Sequence, residues 1–183
     1  MKYLRILICL VLSLCIIFTC GGCGDGNPQT STPQVSDQPL QLNDTYHGRW
    51  FVNDQLTEES FTFSISGSIP AGIQPDGSFH EATCSVRFPE DFSYGSTSDQ
   101  PNSCHGLSCA DEQCAIMYML SGSCSDKSQP GKPVPLIIYL CPQNGYAIVR
   151  VGSSPVRYIV ASTDPNMDTS QIMAHFPEYV FQV

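Results

Sequence analysis

The stretch LIIYLCPQNGYAIVRV, residues 136–151, decides the fold class. Two apolar runs flank Asn144 and Gly145, and Asn-Gly tolerates the positive φ angles of a type I′ turn, whose twist matches that of antiparallel strands. The stretch therefore predicts a β-hairpin. A two-residue loop would place Cys141 opposite Ile148.

The strand pattern continues on both sides of this hairpin. After the turn GSSP, the segment VRYIVAS returns as a third strand, which makes a meander. Earlier, FTFSIS (61–66) and TCSVRF (83–88) alternate apolar and polar residues, as half-buried strands require. HGRWFV and CAIMYMLSGSC add further strands. With about six to eight strands, the sequence predicts an all-β domain, a small antiparallel up-and-down barrel or a sandwich.

One segment near the C-terminus reads as a helix. In DTSQIMAHF (168–176), Asp168 or Thr169 would cap a helix of two turns, and Pro177 would end it. Its apolar side is expected to cover an edge or an end of the sheet system. The residues on that side are Ile172, Met173 and Phe176.

The N-terminus carries the pattern of an export signal. Lys2 and Arg5 precede the uncharged run ILICLVLSLCIIF, which is shorter than the about 20 residues that a spanning helix needs. Export followed by cleavage is therefore expected for residues 1–22.

Cys23 is the candidate for lipidation. It follows Gly21 and Gly22, and this segment resembles the lipobox of bacterial lipoproteins, with Cys20 at the place where a lipobox usually carries an aliphatic residue. The resemblance implies that Cys23 receives diacylglycerol, becomes the first residue of the mature chain and carries fatty acids such as palmitate. The alternative is a plainly secreted protein that is cleaved elsewhere.

Composition divides the mature chain into a tether and a domain. Residues 23–41 are rich in Gly, Pro, Ser, Thr and Gln and contain no aromatic residue, so they cannot bury enough apolar area to fold and are expected to form a flexible tether. Residues 42–183 are long enough for a single β domain with a core. The predicted location is the exported side of a bacterial membrane, in the cell envelope.

Net charge limits the partners of the domain. The chain has 17 acidic residues and a net charge of −9, and loss of Lys2 and Arg5 with the signal would leave −11. Nucleic acid and anionic lipid should both repel such a protein. Membrane contact is therefore expected through the lipid anchor alone.

Six cysteines lie beyond Cys23 in an exported domain, and such a setting favours disulfides. An even number, which can pair fully, agrees with lipidation of Cys23. A zinc site at Cys104, His105, Cys109 and Cys114 is the alternative, and the spacing lacks a C-x-x-C pair. The predicted staple therefore consists of disulfides of unassigned pairing among Cys84, Cys104, Cys109, Cys114, Cys124 and Cys141.

The only tryptophan, Trp50, follows Gly48 and Arg49. This tripeptide resembles the G-x-W that opens lipocalin-type barrels. The resemblance implies a Trp that packs across the closed end of a barrel and an interior that either holds a small apolar ligand or is filled by side chains.

No catalytic motif accompanies these features: the sequence lacks G-x-S-x-G, H-E-x-x-H, a P-loop and a dinucleotide turn. No catalytic residue, metal site or cofactor is predicted. The expected function is a non-enzymatic binding or structural module for an envelope protein or a small apolar ligand. Its candidate recognition loop is residues 88–114, with Phe92 and Tyr94 as anchors, unless the loop merely caps the barrel. The alternative is an exported hydrolase of unfamiliar type.

Overall fold

The computed structural model describes residues 37–73, 78–97, 100–111 and 116–182 of the 183-residue chain. These segments form nine β-strands, one α-helix and one short 3-10 helix. In chain order they are β1 Leu40–Val52, β2 Gln55–Ile69, β3 Phe79–Arg87, β4 Tyr94–Gly95, β5 Gln100–Leu107, β6 Met117–Asp126, β7 Pro133–Cys141, β8 Tyr146–Val151, β9 Arg157–Ser162, α1 Thr169–His175 and the 3-10 helix Glu178–Phe181. Neither helix in the described segments has the length and apolarity needed to cross a membrane.

Eight strands form a closed antiparallel ring. The order runs β1, β2, β3, β5, β6, β7, β8, β9, and β9 pairs again with β1, while the two-residue β4 pairs with the end of β6. Each long strand therefore neighbours the next long strand in sequence, and the wall leaves no long edge exposed. The predicted all-β fold and the up-and-down barrel are confirmed. β1 begins at Leu40, two residues before the predicted start of the domain.

Alternating side chains fill the barrel. In β2 and β3, Phe63, Ile65, Cys84 and Val86 are buried inside, as the period of two predicts. A space of about 10 Å³ lined by Cys84, Val86 and Leu120 is about the size of one water molecule. In this part of the barrel the interior is a packed core.

A second apolar cluster lies outside the barrel wall. Ile148 of β8 and Val160 of β9 point outward and are completely buried, because α1 and the 3-10 helix cover them with Ile172, Phe176 and Val180. The predicted helix is confirmed. Its apolar side covers an outer face of the wall and not an edge, because the ring of strands is closed here.

The start of α1 is capped by Asp168. The Oδ1 atom of Asp168 accepts hydrogen bonds from the backbone N–H of Ser170 at 2.9 Å and from the Ser170 hydroxyl at 2.8 Å. Of the two predicted caps, Asp168 is therefore the one used, and Thr169 is the first helical residue.

The register predicted for the hairpin of β7 and β8 is wrong by two residues. Cys141 pairs with Tyr146 and not with Ile148, so the loop has four residues and not two. Pro142 explains the difference, because its fixed φ suits the second position of a type I turn. That turn is closed by the bond from Asn144 N to Cys141 O at 3.2 Å, and Gly145 follows with φ of 67°. A shift of two residues keeps every side chain on its predicted face.

The predicted disulfide staple is not supported at four of its six cysteines, and among the described cysteines only Cys109 is disulfide-bonded. Cys84, Cys104, Cys124 and Cys141 are free thiols. Cys104 pairs with His80, four residues from Cys84, and this offset is about 13 Å along a strand, whereas bridged cysteines have Cα atoms about 4.4 to 6.8 Å apart. Cys124 is offset from Cys104 by the same number of residues on β6.

The two described cysteines of the zinc alternative, Cys104 and Cys109, lie on opposite sides of the wall. Cys104 is completely buried in the barrel interior, whereas Cys109 packs in the outer cluster, with its Sγ atom 3.6 Å from that of Cys141. Cys23 and Cys114 lie outside the described residues. Within the described segments no group of three or more His, Cys, Asp or Glu side chains could hold a metal ion.

Candidate functional site

Aromatic rings close one end of the barrel. Trp50 lies near the end of β1, where the pairing with β2 shifts, and Arg49 holds this irregularity by donating from Nε to the carbonyl of Thr57 at 2.6 Å. The Trp50 ring stacks on Phe92 with centroids 5.2 Å apart and an interplanar angle of 1°, and it also contacts Phe61 at 5.9 Å. The G-x-W tryptophan thus belongs to a plug of aromatic side chains.

The predicted recognition loop, residues 88–114, is not a continuous loop, because β5 occupies Gln100–Leu107. Its two predicted anchors have different environments. Phe92 is only 9% exposed and packs against Phe61 and Phe88 with centroids 4.6 and 4.8 Å apart. These contacts are those of a cap on the barrel. Tyr94 is half-buried, and its ring centroid lies 6.2 Å from that of Trp50. Tyr94 also lines an open cleft.

The cleft has a volume of about 320 Å³ and lies between two connections at this end of the barrel. One connection joins β6 to β7, and the other, residues 152–156, joins β8 to β9. Tyr94, Val134 and three prolines form the apolar part of its lining, and the prolines are Pro133, Pro135 and Pro155. A hydrogen bond from Gly152 N to Pro135 O at 2.9 Å joins the second connection to β7.

Charged and hydroxyl groups converge on the same cleft. Asp126, Lys132 and Arg157 line it, together with the exposed Ser153 and Ser154. The lining therefore has a net charge of +1, in a chain whose net charge is −9. The cleft thus combines apolar side chains with charged and hydroxyl groups, and polar groups placed in a concave site can orient a ligand.

Asp126 is held ionised in this cleft. Its Oδ1 atom accepts hydrogen bonds from the Ser128 hydroxyl at 2.6 Å and from the Ser128 backbone N–H at 2.8 Å. These bonds, with a smaller contribution from the charge of Arg157, lower the pKa of Asp126 below its ordinary value.

The donors in the cleft are only partly used by the protein. Lys132 Nζ donates to Gln129 Oε1 at 3.2 Å. Within the described segments, the Arg157 guanidinium and the hydroxyls of Ser153 and Ser154 have no hydrogen-bond partner in the protein. A guanidinium offers five N–H donors in a planar fork that fits a carboxylate or a phosphate.

A second polar cluster lies beneath α1. His175 is 5% exposed, and its Nδ1 atom lies 3.0 Å from Oδ2 of Asp111. Its Nε2 atom is buried without a hydrogen-bond partner in the described part of the chain, and its ring meets Tyr146 edge-on with centroids 5.0 Å apart. The pair joins the segment after β5 to the C-terminal helix.

The thiol near this pair has the wrong properties for a nucleophile. Burial, and then the charge of Asp111, raise the pKa of Cys141 to about 12, so the thiol stays protonated near neutral pH. Nucleophilic cysteines have lowered pKa values, because the thiolate is the reacting form. The contact between Asp111 and His175 is therefore best described as structural, because it holds the segment after β5 against the C-terminal helix.

Sequence reasoning found Trp50, Phe92 and Tyr94 and missed the cleft. The sequence patterns assigned no role to Asp126, Lys132 or Arg157. The signal that could have found them is the placement of KSQPGKP and GSSP at two alternate turns, one on each side of the Asn144-Gly145 turn, since alternate turns of an up-and-down barrel share one end.

The comparisons with known proteins give no match: no family model, no curated protein and no solved structure is significantly similar to the chain.

Proposed function

We propose that this protein is a lipid-anchored lipoprotein of the bacterial cell envelope whose exported β domain binds a ligand without catalysis. The observation that carries the binding role is the cleft of about 320 Å³ at the aromatic end of the barrel. Its lining residues lie at the ends of barrel strands and in the connections between them, and a site that is already formed in the folded protein needs little reordering when a ligand binds.

The anchoring part of the proposal rests on residues 1–23. Because Cys84, Cys104, Cys124 and Cys141 are free thiols, the even number of cysteines no longer supports it. What remains is the short apolar run with Lys2 and Arg5 before it and Gly21-Gly22-Cys23 after it.

The location of the ligand differs from the first expectation. A small apolar ligand inside the barrel would have to displace packed side chains near Leu120, where the free space is about 10 Å³. The cleft requires no such displacement and is open to solvent. The Asp111–His175 pair gives the hydrolase alternative an acid and a base, but the thiol of Cys141 beside it is not activated, so no hydrolase is proposed.

Intact-mass spectrometry tests the anchor. We expect protein purified from its own membranes to have the mass of residues 23–183 plus acyl chains, and the Cys23→Ala variant to lack the acyl mass and the membrane association. The variant Cys20→Ala is the matched control and should keep both. A wild-type chain with an unmodified Cys23 would refute the lipoprotein assignment.

Hydrogen exchange tests the binding role independently of the anchor. The detergent-solubilised mature protein is compared with and without small-molecule extracts of the envelope. We expect slower exchange in residues 126–134 and 152–157 and no change in α1. Absence of protection in these two segments with every extract would reject the cleft as a binding site.

A further inference from the structure

From the side chains in the cleft we infer that its ligand is a sugar ring that carries a single carboxylate. This inference rests on the proposed binding function and names the chemical class of the ligand. It follows from three properties of the lining, namely its net charge, its hydrogen-bonding groups and its apolar wall.

Net charge selects one negative charge on the ligand. Lys132 and Arg157 contribute two positive charges, and Asp126, whose pKa is lowered, contributes one negative charge. A ligand with one carboxylate would leave the cleft neutral. A phosphate, which carries close to two charges at neutral pH, would be opposed by Asp126.

The unpaired donors indicate where the carboxylate binds. The Arg157 guanidinium has no acceptor in the described part of the protein, and a guanidinium binds a carboxylate through two parallel N–H···O bonds. Lys132, which donates to Gln129 at 3.2 Å, adds a second positive charge to the same cleft.

The remaining polar groups suit hydroxyls, which both donate and accept hydrogen bonds. Asp126 still has Oδ2 as an acceptor, because the bonds from Ser128 go to Oδ1. The hydroxyls of Ser153 and Ser154 can donate or accept. A ligand with several hydroxyl groups uses all of these groups, whereas a fatty acid would leave them unpaired.

The apolar wall suits the face of a sugar ring. Tyr94 and Val134 line the cleft together with proline rings. A peptide strand is a poorer occupant, because Pro133 and Pro135 have no N–H to pair with it and β7 is already paired on both sides, with β6 and β8.

The single tryptophan provides a direct readout of binding. Trp50 contacts Tyr94, and Tyr94 lines the cleft, so a ligand beside Tyr94 should change the fluorescence of Trp50. The experiment titrates the mature, detergent-solubilised protein with four probes, namely glucuronate, glucose, glucose 6-phosphate and N-acetylalanine.

We expect glucuronate to bind with a dissociation constant on the order of 1 mM and the other three probes to bind at least about tenfold more weakly. Arg157→Gln should weaken glucuronate at least about tenfold, a loss typical of a charged hydrogen-bonding partner. Arg150→Gln is the matched control, because it removes the same charge outside the cleft lining, and it should leave binding unchanged.

Asp126→Asn tests the charge argument separately. The amide oxygen can still accept the bonds from Ser128, but the lining then has a net charge of +2 and should favour glucose 6-phosphate over glucuronate. An unchanged preference would overturn the selection by charge.

The other outcomes are also decisive. Equal binding of N-acetylalanine and glucuronate would overturn the sugar part of the inference, and equal binding of glucose would overturn the carboxylate part. No binding of any probe, together with protection of the cleft by an envelope extract in hydrogen exchange, would overturn this inference and leave the binding function intact.

Discussion

Gly48 lies at a position where the barrel interior leaves no room for a side chain. A Cβ atom at this position would lie 2.8 Å from Cγ2 of Ile159 and 3.1 Å from Cε1 of Phe63. Neither atom can move freely, because both side chains are buried in the barrel interior. The glycine of G-x-W is thus required by close packing inside the wall.

We predict that Gly48→Ala lowers the free energy of unfolding by about 1 to 3 kcal/mol, the usual cost of overpacking a core. Urea unfolding followed by Trp50 fluorescence measures it. Thr45→Ala, at an exposed position of the same strand, should cost less than about 1 kcal/mol. Equal effects of the two changes would show that Gly48 can accept a side chain.

Substitution of Phe92 can show whether this residue caps the barrel or recognises a ligand. It is buried among Trp50, Phe61 and Phe88, so we predict that Phe92→Ala costs about 3 to 5 kcal/mol of unfolding free energy. Tyr179→Ala, at a residue that is 47% exposed, is the control and should cost far less. A Phe92 variant of normal stability with lost ligand binding would instead make Phe92 a recognition residue.

At the scale of elements, α1 acts as a cover for the outer face of β8 and β9. Ile172 is completely buried beside Ile148 and Val160, while Gln171 next to it is exposed. The helix has only seven residues, and helices this short depend on tertiary packing for their stability.

We therefore predict that Ile172→Ala lowers the unfolding free energy by about 2 to 5 kcal/mol, and that Gln171→Ala has little effect. Circular dichroism and urea unfolding measure the two variants. Because no residue of α1 lines the cleft, sugar binding by folded Ile172→Ala should be normal. A stability equal to wild type would mean that α1 does not hold the outer cluster together.

At the scale of the whole molecule, burial of thiols couples stability to alkaline pH. Burial raises the pKa of Cys84 and Cys124 from 9.0 to about 11 and that of Cys104 and Cys141 to about 12. Above pH 9 the unfolded chain ionises these thiols while the folded protein keeps them protonated. The folded state then binds more protons, and its stability falls as pH rises.

We predict that ionisation of these thiols leaves the unfolding free energy unchanged below about pH 8 and lowers it progressively between about pH 9 and 12. Each thiol contributes a slope of up to about 1.4 kcal/mol per pH unit. Urea titrations across this range measure the slope, and Cys104→Val should reduce it. The same thiols should resist alkylation at pH 8 until the protein unfolds. Rapid alkylation of the native protein would contradict their burial.

Local sequence determined the elements of this protein. Alternation in residues 61–66 and 83–88, Asn144-Gly145 between apolar runs, and the pair of Asp168 and Pro177 each act within a few residues, so strands, hairpin and helix could be predicted. The exact register of the hairpin could not, because Pro142 gave a type I turn inside a longer loop.

Tertiary structure decided what the strands build. Closure depends on the pairing of β1 with β9, such as His47 opposite Ser162, across more than a hundred residues, and no local period encodes that contact. The register of β3 on β5 separates Cys84 from Cys104, and the packing of the strand ends brings Tyr94, Asp126 and Arg157 from distant segments to one cleft. A sequence pattern predicts which side of a strand each side chain occupies, whereas only the closed ring of strands determines which side chains come into contact.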